Sequence, residues 1–380
     1  MKVILSPQAF KGTASAKEAA EAMRRGILLA MPHARVITMP IADGGSGTVE
    51  ALVSASGGHY INSPTLDPLG RPITARWGVL NDRETAVIES SAASGLSLLS
   101  QAERDPTVTT TKGTGVLIRA ALDLGCHRLL IGLGDSATND GGVGMAQAIG
   151  IRAMDETGND LHDGGAALVD LHAFDLSGAH SRLYSSSITV LCDVGNTLCG
   201  LNGSSVVFGP QKGATSQQIS LLDAALTHFA DIVEAQFKRD VRDIPGTGAS
   251  GGMGAGLLAL CGAIIRPGFE VIADTINIRE QITGADLVIT GEGCIDTQTT
   301  GGKGVAGIAA LSRECGVPLV AAIVGRNNLG PMESKNIGID EVYAITHPSS
   351  SVIPSAAVTC HLIEASAEIV TKKLLKERQP

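Results

Sequence analysis

The sequence predicts an α/β protein of two domains, in which a parallel sheet is assembled from both ends of the chain and a mixed α/β domain is inserted between the halves. Three observations predict it. The chain has 380 residues, more than one core of about 150 residues usually serves. Hydrophobic residues make up 44%, charged residues 18% and aromatics 3%, with 47 glycines. That composition supports a packed core with many tight turns and argues against disorder. Finally, short β-type runs alternate with helical periodicity at both ends, whereas the middle begins with hairpin-like runs.

Val3, Ile4 and Leu5 form the first buried strand. Ser15-Ala16-Lys17-Glu18 is a capping box, and Ala16, Ala19, Ala20, Met23 and Ile27 follow at helical spacing, with Pro32 just beyond. Residues 34–38 predict a second strand, followed by Ala42-Asp43-Gly44-Gly45-Ser46-Gly47-Thr48 and a short helix over 51–56. From about residue 59 to 90, runs broken by Asp67-Pro68-Leu69-Gly70 and Asn81-Asp82 read as antiparallel hairpins. The new domain then holds a helix over 116–124, a strand over 128–133, a glycine-rich turn and a helix ending near 149. Hairpin-like segments, a strand over 188–192 and a helix over 216–237 follow.

After Pro267 the first pattern resumes with a helix to Ile282, a strand over 287–290 and a helix over 305–315. Strands over 319–324 and 341–346 and a helix over 354–376 complete it. The strand at 287–290 is expected to stop at Gly291-Glu292-Gly293, a turn too rich in glycine to continue it. Residues 1–58 with 267–380 are thus expected to form a Rossmann/flavodoxin-like domain and residues 59–266 the inserted one.

A net charge of −9 argues against nucleic-acid and anionic-membrane partners, which need broad positive fields. The seven cysteines are scattered without a CxxC pair, so a zinc knuckle or disulfide framework is disfavoured and reduced thiols are expected. The apolar start stops at Ser6-Pro7-Gln8, short of a secretory segment. Residues 253–265 carry three glycines and are too short to span a bilayer. The expectation is a soluble cytoplasmic protein, with a homo-oligomer left open.

In open α/β sheets, ligands sit beyond the carboxyl ends of the strands. There fall Gln8 and Lys11, Asp43-Gly44-Gly45, residues 134–142, Asp193, Glu292 and Asp296, Arg326 and His347. Residues 132–144, GLGDSATNDGGVG, read either as a phosphate cradle of backbone amides with Ser136 and Thr138 hydroxyls, or as a tight turn capped by Asn139 or Asp140. A second glycine loop spans 245–254, but no strand precedes its GxGxxG, so a dinucleotide fingerprint is weak. No GxxxxGK[ST] loop and no GxSxG elbow occurs. Lys212 and Lys303 stand in turns before helices, as phosphate partners or solvated side chains. Asp193 is a base, a magnesium ligand or an acceptor of turn N–H groups. His347 reads as an ordinary loop histidine.

FKGTASAKEAAEAM, ADGGSGTVEAL, DPLGRP, TTTKGTGVLIRAAL, IGLGDSATNDGGVGMAQAIG, CDVGNTLCG, FGPQKGA, GASGGMGAG and VITGEGCIDTQT occur in this order. Together they resemble the bacterial glycerate kinases of the type that makes 2-phosphoglycerate, over residues 2 to about 325. The resemblance implies a two-domain kinase that uses ATP and Mg²⁺ to phosphorylate D-glycerate in an interdomain cleft. It implies catalytic roles for Asp193, Lys11 and Lys212, and substrate contacts from Gln8, Asp43, Gly44, Gly45, Cys294 and Lys303. Nucleotide contacts would come from Ser136, Thr138, Asn139, Gly141, Gly251 and Gly252, and Mg²⁺ ligands from Glu292 and Asp296. A kinase of another small hydroxy acid or polyol, and a catalytically weak metabolite-binding paralogue, are the alternatives.

Four positions depart from the family's usual pattern. Gln8 stands where an aspartate is usual, Ser46 where a glutamate is, Cys294 where an arginine is, and Asp135 where a glycine is. An arginine that gripped glycerate could not be replaced by cysteine. If it instead paired with the acidic groups usual at 8 and 46, the joint loss removes a charge cluster without stranding a charge.

Overall fold

The computed structural model describes residues 1–10, 12–296, 299, 304–346 and 354–377. Its strands in chain order are β1 (Lys2–Pro7), β2 (Arg35–Thr38), β3 (His59–Leu66), β4 (Pro72–Val79), β5 (Thr85–Glu89), β6 (Arg128–Gly132) and β7 (Arg152–Met154). Then come β8 (Ala173–Asp175), β9 (Ser187–Leu191), β10 (Ile264–Arg266), β11 (Leu287–Ile295), β12 (Val320–Asn327) and β13 (Glu341–Ala344). Contacts divide the chain into two compact units, Met1–Asp43 with Phe269–Pro380, and Gly44–Gly268.

The first unit carries a sheet ordered β13-β12-β11-β1-β2, parallel throughout. Counted within the unit, this is the flavodoxin-like order 2-1-3-4-5, whose ligand crevice lies at the switch point between β1 and β11. Val3, Leu5, Leu287, Ile289, Ala321 and Ile323 are fully buried, as the continuous apolar runs of parallel strands require. Met23 and Ile27 of helix Ala16–Ala30 and Ile363 and Ala367 of helix Ala356–Glu377 pack against them. The expected capping box is present: Ser15 Oγ accepts from Glu18 N, and the Glu18 carboxylate accepts from Ser15 N.

Two expectations for this unit change. β11 does not stop at Gly291-Glu292-Gly293 but runs through Cys294 to Ile295, because β12 pairs with it as far as Cys294↔Arg326 and Ile295↔Asn327. The glycines mark close backbone approach, not a turn: a Cβ on Gly291 would lie 2.0 Å from the Ile323 carbonyl oxygen. The helix expected up to Ile282 is two, Gly268–Thr275 and Ile278–Ile282, parted at Asn277, whose φ is +51°.

The second unit carries a sheet ordered β10-β9-β6-β5-β4-β3. β5, β6, β9 and β10 are parallel, and β3-β4-β5 is an antiparallel meander. Helix Thr48–Ser56, expected with the first domain, belongs here, so the first boundary falls at Asp43 and not at 58. Its buried Val49, Leu52 and Val53 need an apolar partner, and β3, β4 and β5 supply it. Glu89, at the end of β5, also accepts the Gly47 and Val49 amides at the start of that helix. Among the described residues, no helix is long and apolar enough to cross a membrane.

Candidate active site

In the first unit, Gln8, Glu292, Cys294 and Asp296 lie at the carboxyl ends of β1 and β11, which flank the switch point. Gln8 follows β1, and its amide donates to the Gly291 carbonyl at 2.7 Å. Its carboxamide reaches the start of helix Gly304–Glu314, where a Cβ on Gly304 would lie 2.3 Å from Gln8 Oε1. At the end of β11, the Thr299 hydroxyl donates to Glu292 Oε1 at 3.1 Å and accepts from Asp296 N at 3.2 Å. One hydroxyl thus links the Glu292 carboxylate to the Asp296 backbone.

Cys294 Sγ accepts from Asn328 Nδ2 at 3.4 Å. Burial first and Asp296 second push its thiol up, while Arg326 acts in the opposite sense, so the group is a neutral thiol and not a nucleophile. Lys11, Lys303 and His347 lie outside the described residues.

No group of three or more His, Cys, Asp or Glu side chains is arranged to hold a metal ion among the described residues. Glu292 and Asp296 together form a hard, two-carboxylate donor set. That set fits Mg²⁺, which is commonly bound through one or two carboxylates together with waters and phosphate oxygens.

In the second unit, the loop after β6 resolves the choice between phosphate cradle and capped turn for two of its amides. Gly142 N and Gly144 N donate to Asp140 at 3.1 and 3.3 Å, so this aspartate consumes donors expected to face phosphate. Asp140 also accepts from Thr111 N and Thr111 Oγ1, both at 2.8 Å. It is 1% exposed, and burial raises its carboxyl against these bonds. No sequence signal separated it from Asn139 as the capping residue.

Lys212, 2% exposed, donates to Ser136 Oγ at 3.0 Å and to the Thr138 carbonyl at 2.6 Å. The solvated turn lysine is therefore excluded. Burial pushes its ammonium down to about 7, with Asp140 acting the other way. Thr138 Oγ1, Asn139 Oδ1, Ser204 Oγ and Ser250 Oγ are buried without a hydrogen-bond partner among the described residues. Such orphaned atoms are costly and mark places that water or ligand completes.

The two glycine loops pack on each other. Gly141 N donates to the Gly251 carbonyl at 2.9 Å, and Gly252 lies against Gly141. Gly251 has φ +73°, and a Cβ there would lie 1.9 Å from the Thr138 carbonyl oxygen. Gly251→Ala is expected to cost about 2 kcal/mol or more, measured as a lower urea midpoint. An unchanged midpoint would refute this packing role.

Asp193 follows β9, and its Oδ1 accepts at 3.0 Å from Gly268 N, a long-range bond to the start of helix Gly268–Thr275. Gly44 and Gly45 lie against Leu191 and Gly134 at the ends of β9 and β6. Ser46 Oγ donates at 2.9 Å to Asp135, whose φ is +53°. The carboxylate that the resemblance expects at 46 is therefore offered from the facing loop. Glu89 was missed; its only signal was an acid ending a buried strand.

A doubly wound parallel sheet with carboxylates at its switch point in one unit, and a buried lysine under a glycine loop in the other, mixed α/β unit, define the class: a ligand-binding α/β protein. The chain belongs to the glycerate kinase family, whose sequence profile matches residues 3–375. It is 43% identical over 372 residues to a glycerate kinase of Bacillus subtilis (strain 168), covering 98% of this chain and 95% of that protein. It is also 43% identical over 347 residues to the glycerate 2-kinase of Escherichia coli (strain K12), covering 91% and 90%. A crystal structure named for a glycerate kinase 2 of Salmonella typhimurium LT2 superposes with TM-score 0.89 at 41% identity, covering 100% of both chains.

Proposed function

We propose that this glycerate kinase transfers the γ-phosphoryl group of ATP to the 2-hydroxyl of D-glycerate, giving 2-phosphoglycerate, in the cytoplasm. The likeness to the Escherichia coli glycerate 2-kinase carries the choice of hydroxyl. In the transfer, the hydroxyl oxygen bonds to the γ-phosphorus, the bridge to ADP breaks, and the hydroxyl proton passes to a carboxylate. Asp193 is the proposed acceptor or orienter of that proton. The cleft expected between the two domains is part of the same proposal.

Phosphoryl transfer asks a protein for positioning and charge neutralisation more than covalent chemistry. Lys212 would supply positive charge from behind the Ser136–Thr138 segment. The orphaned Thr138, Asn139 and Ser250 atoms support nucleotide contacts there. Lys11 and Lys303 belong to the proposed set as further phosphate or carboxylate partners. Glu292 and Asp296 would hold Mg²⁺, which when bound offsets phosphate charge.

The departures at Gln8, Ser46 and Cys294 favour, as a second reading, an altered acceptor such as another small hydroxy acid or polyol. A panel of acceptors with ATP and Mg²⁺, scored by ADP release and by phosphorus NMR of the product, separates the readings. The expected result is the highest kcat/KM with D-glycerate and phosphorylation at the 2-position. Binding of ATP without turnover of any acceptor would sink both kinase readings.

A further inference from the structure

We propose that Arg326 anchors the carboxylate of the hydroxy-acid substrate, in place of the guanidinium that the family usually carries at position 294. The inference rests on the kinase reading above but concerns one contact within the first unit. Arg326 lies near the carboxyl end of β12, directly in register with Cys294 of β11. Register partners on adjacent parallel strands, about 4.8 Å apart, project their side chains from the same face of the sheet. Glu292, two residues before Cys294, shares that face. Arg326 and the candidate metal-binding carboxylate therefore look into the same region at the switch point.

Two further observations give Arg326 a ligand to find. Its side chain is exposed and, among the described residues, makes no hydrogen bond or ion pair. By contrast, Arg71, Arg128, Arg242 and Arg313 are each taken up by carboxylates. Among the described residues, the neighbouring Glu292 and Asp296 are acidic and would repel an organic acid that met no cation. A guanidinium can fork onto both oxygens of a carboxylate, which a lysine cannot.

Cys294 then has a physical reason. An arginine at 294 beside Arg326 would set two guanidiniums in direct register, and like charges so placed repel. A small neutral thiol leaves the face open for the cation arriving from the neighbouring strand. The charge usual at 294 has moved one strand across the sheet.

Arg326→Ala is expected to raise the KM for D-glycerate about thirtyfold or more while leaving the KM for ATP within about threefold. Arg326→Lys should recover only part of the loss. Arg326→Ala with Cys294→Arg should recover most of it, because the guanidinium returns to the same face. Calorimetric titration of D-glycerate into each variant, with unfolding midpoints as a fold check, gives a readout independent of turnover. A D-glycerate KM and affinity for Arg326→Ala within about threefold of the unaltered chain would overturn the proposal, as would an equal rise in the KM for ATP. If another hydroxy acid is the acceptor and its KM depends on Arg326, the glycerate reading falls and the anchor stands. If only uncharged polyols are turned over and no hydroxy-acid anion binds, both fall.

Discussion

Asp140→Ala is expected to destabilise the protein by about 3–5 kcal/mol, enough to unfold much of the second unit at ordinary temperature. The carboxylate accepts two bonds from Thr111 and one each from the Gly142 and Gly144 amides. Removing it strands three buried backbone donors, each costing about 1–3 kcal/mol before relaxation. It also leaves the fully buried Lys212 without the Asp140 charge, which favours its protonated form. Asp140→Asn should do less damage, since its amide oxygen can still accept some of these bonds. Denaturant unfolding decides the matter: a loss under about 1 kcal/mol for the alanine variant would show that the loop holds itself without the carboxylate.

Lys212→Met is expected to behave in the opposite way, with kcat falling about a thousandfold and stability changing by no more than about 2 kcal/mol. Methionine fills a similar volume, and relief from burying an ammonium offsets the lost bonds to Ser136 and Thr138. Activity depends on the charge itself, so it does not share that compensation. Retention of kcat within tenfold would reduce Lys212 to a structural residue.

The pH dependence follows from the same burial. Folded Lys212 releases its proton near 7, while an unfolded lysine holds it to about 10.4. Between those values the unfolded chain binds more protons, so this group makes stability rise with pH through that window. The penalty of the buried charge is present in full below 7. Unfolding measured at pH 7 and 9.5 should show that rise in the unaltered chain and a smaller one in Lys212→Met.

Much of the scaffold was legible because its signals are local. The Ser15–Glu18 box, helix Ser216–Phe237 and the buried strands declare themselves through spacing and caps that need no distant partner. The glycines of β11 misled because a glycine reads alike in a turn and at a close strand contact, and only the Ile323 carbonyl distinguishes them. Helix Thr48–Ser56 misled likewise, since apolarity states that a face must be buried but not against which sheet.

The site divides along the same line. By itself the sequence determined the family, the two-part α/β plan and the strand-end positions where chemistry gathers, because ordered motifs and periodicity are properties of neighbouring residues. Only the tertiary structure decided that Asp140 consumes amides expected for phosphate, that Lys212 is buried beneath Ser136 and Thr138, and that Asp135 faces Ser46. It alone set Arg326 beside Cys294. Hydrogen bonds and charge pairs act over a few ångströms of space, and folding, not chain order, chooses which groups come within that reach.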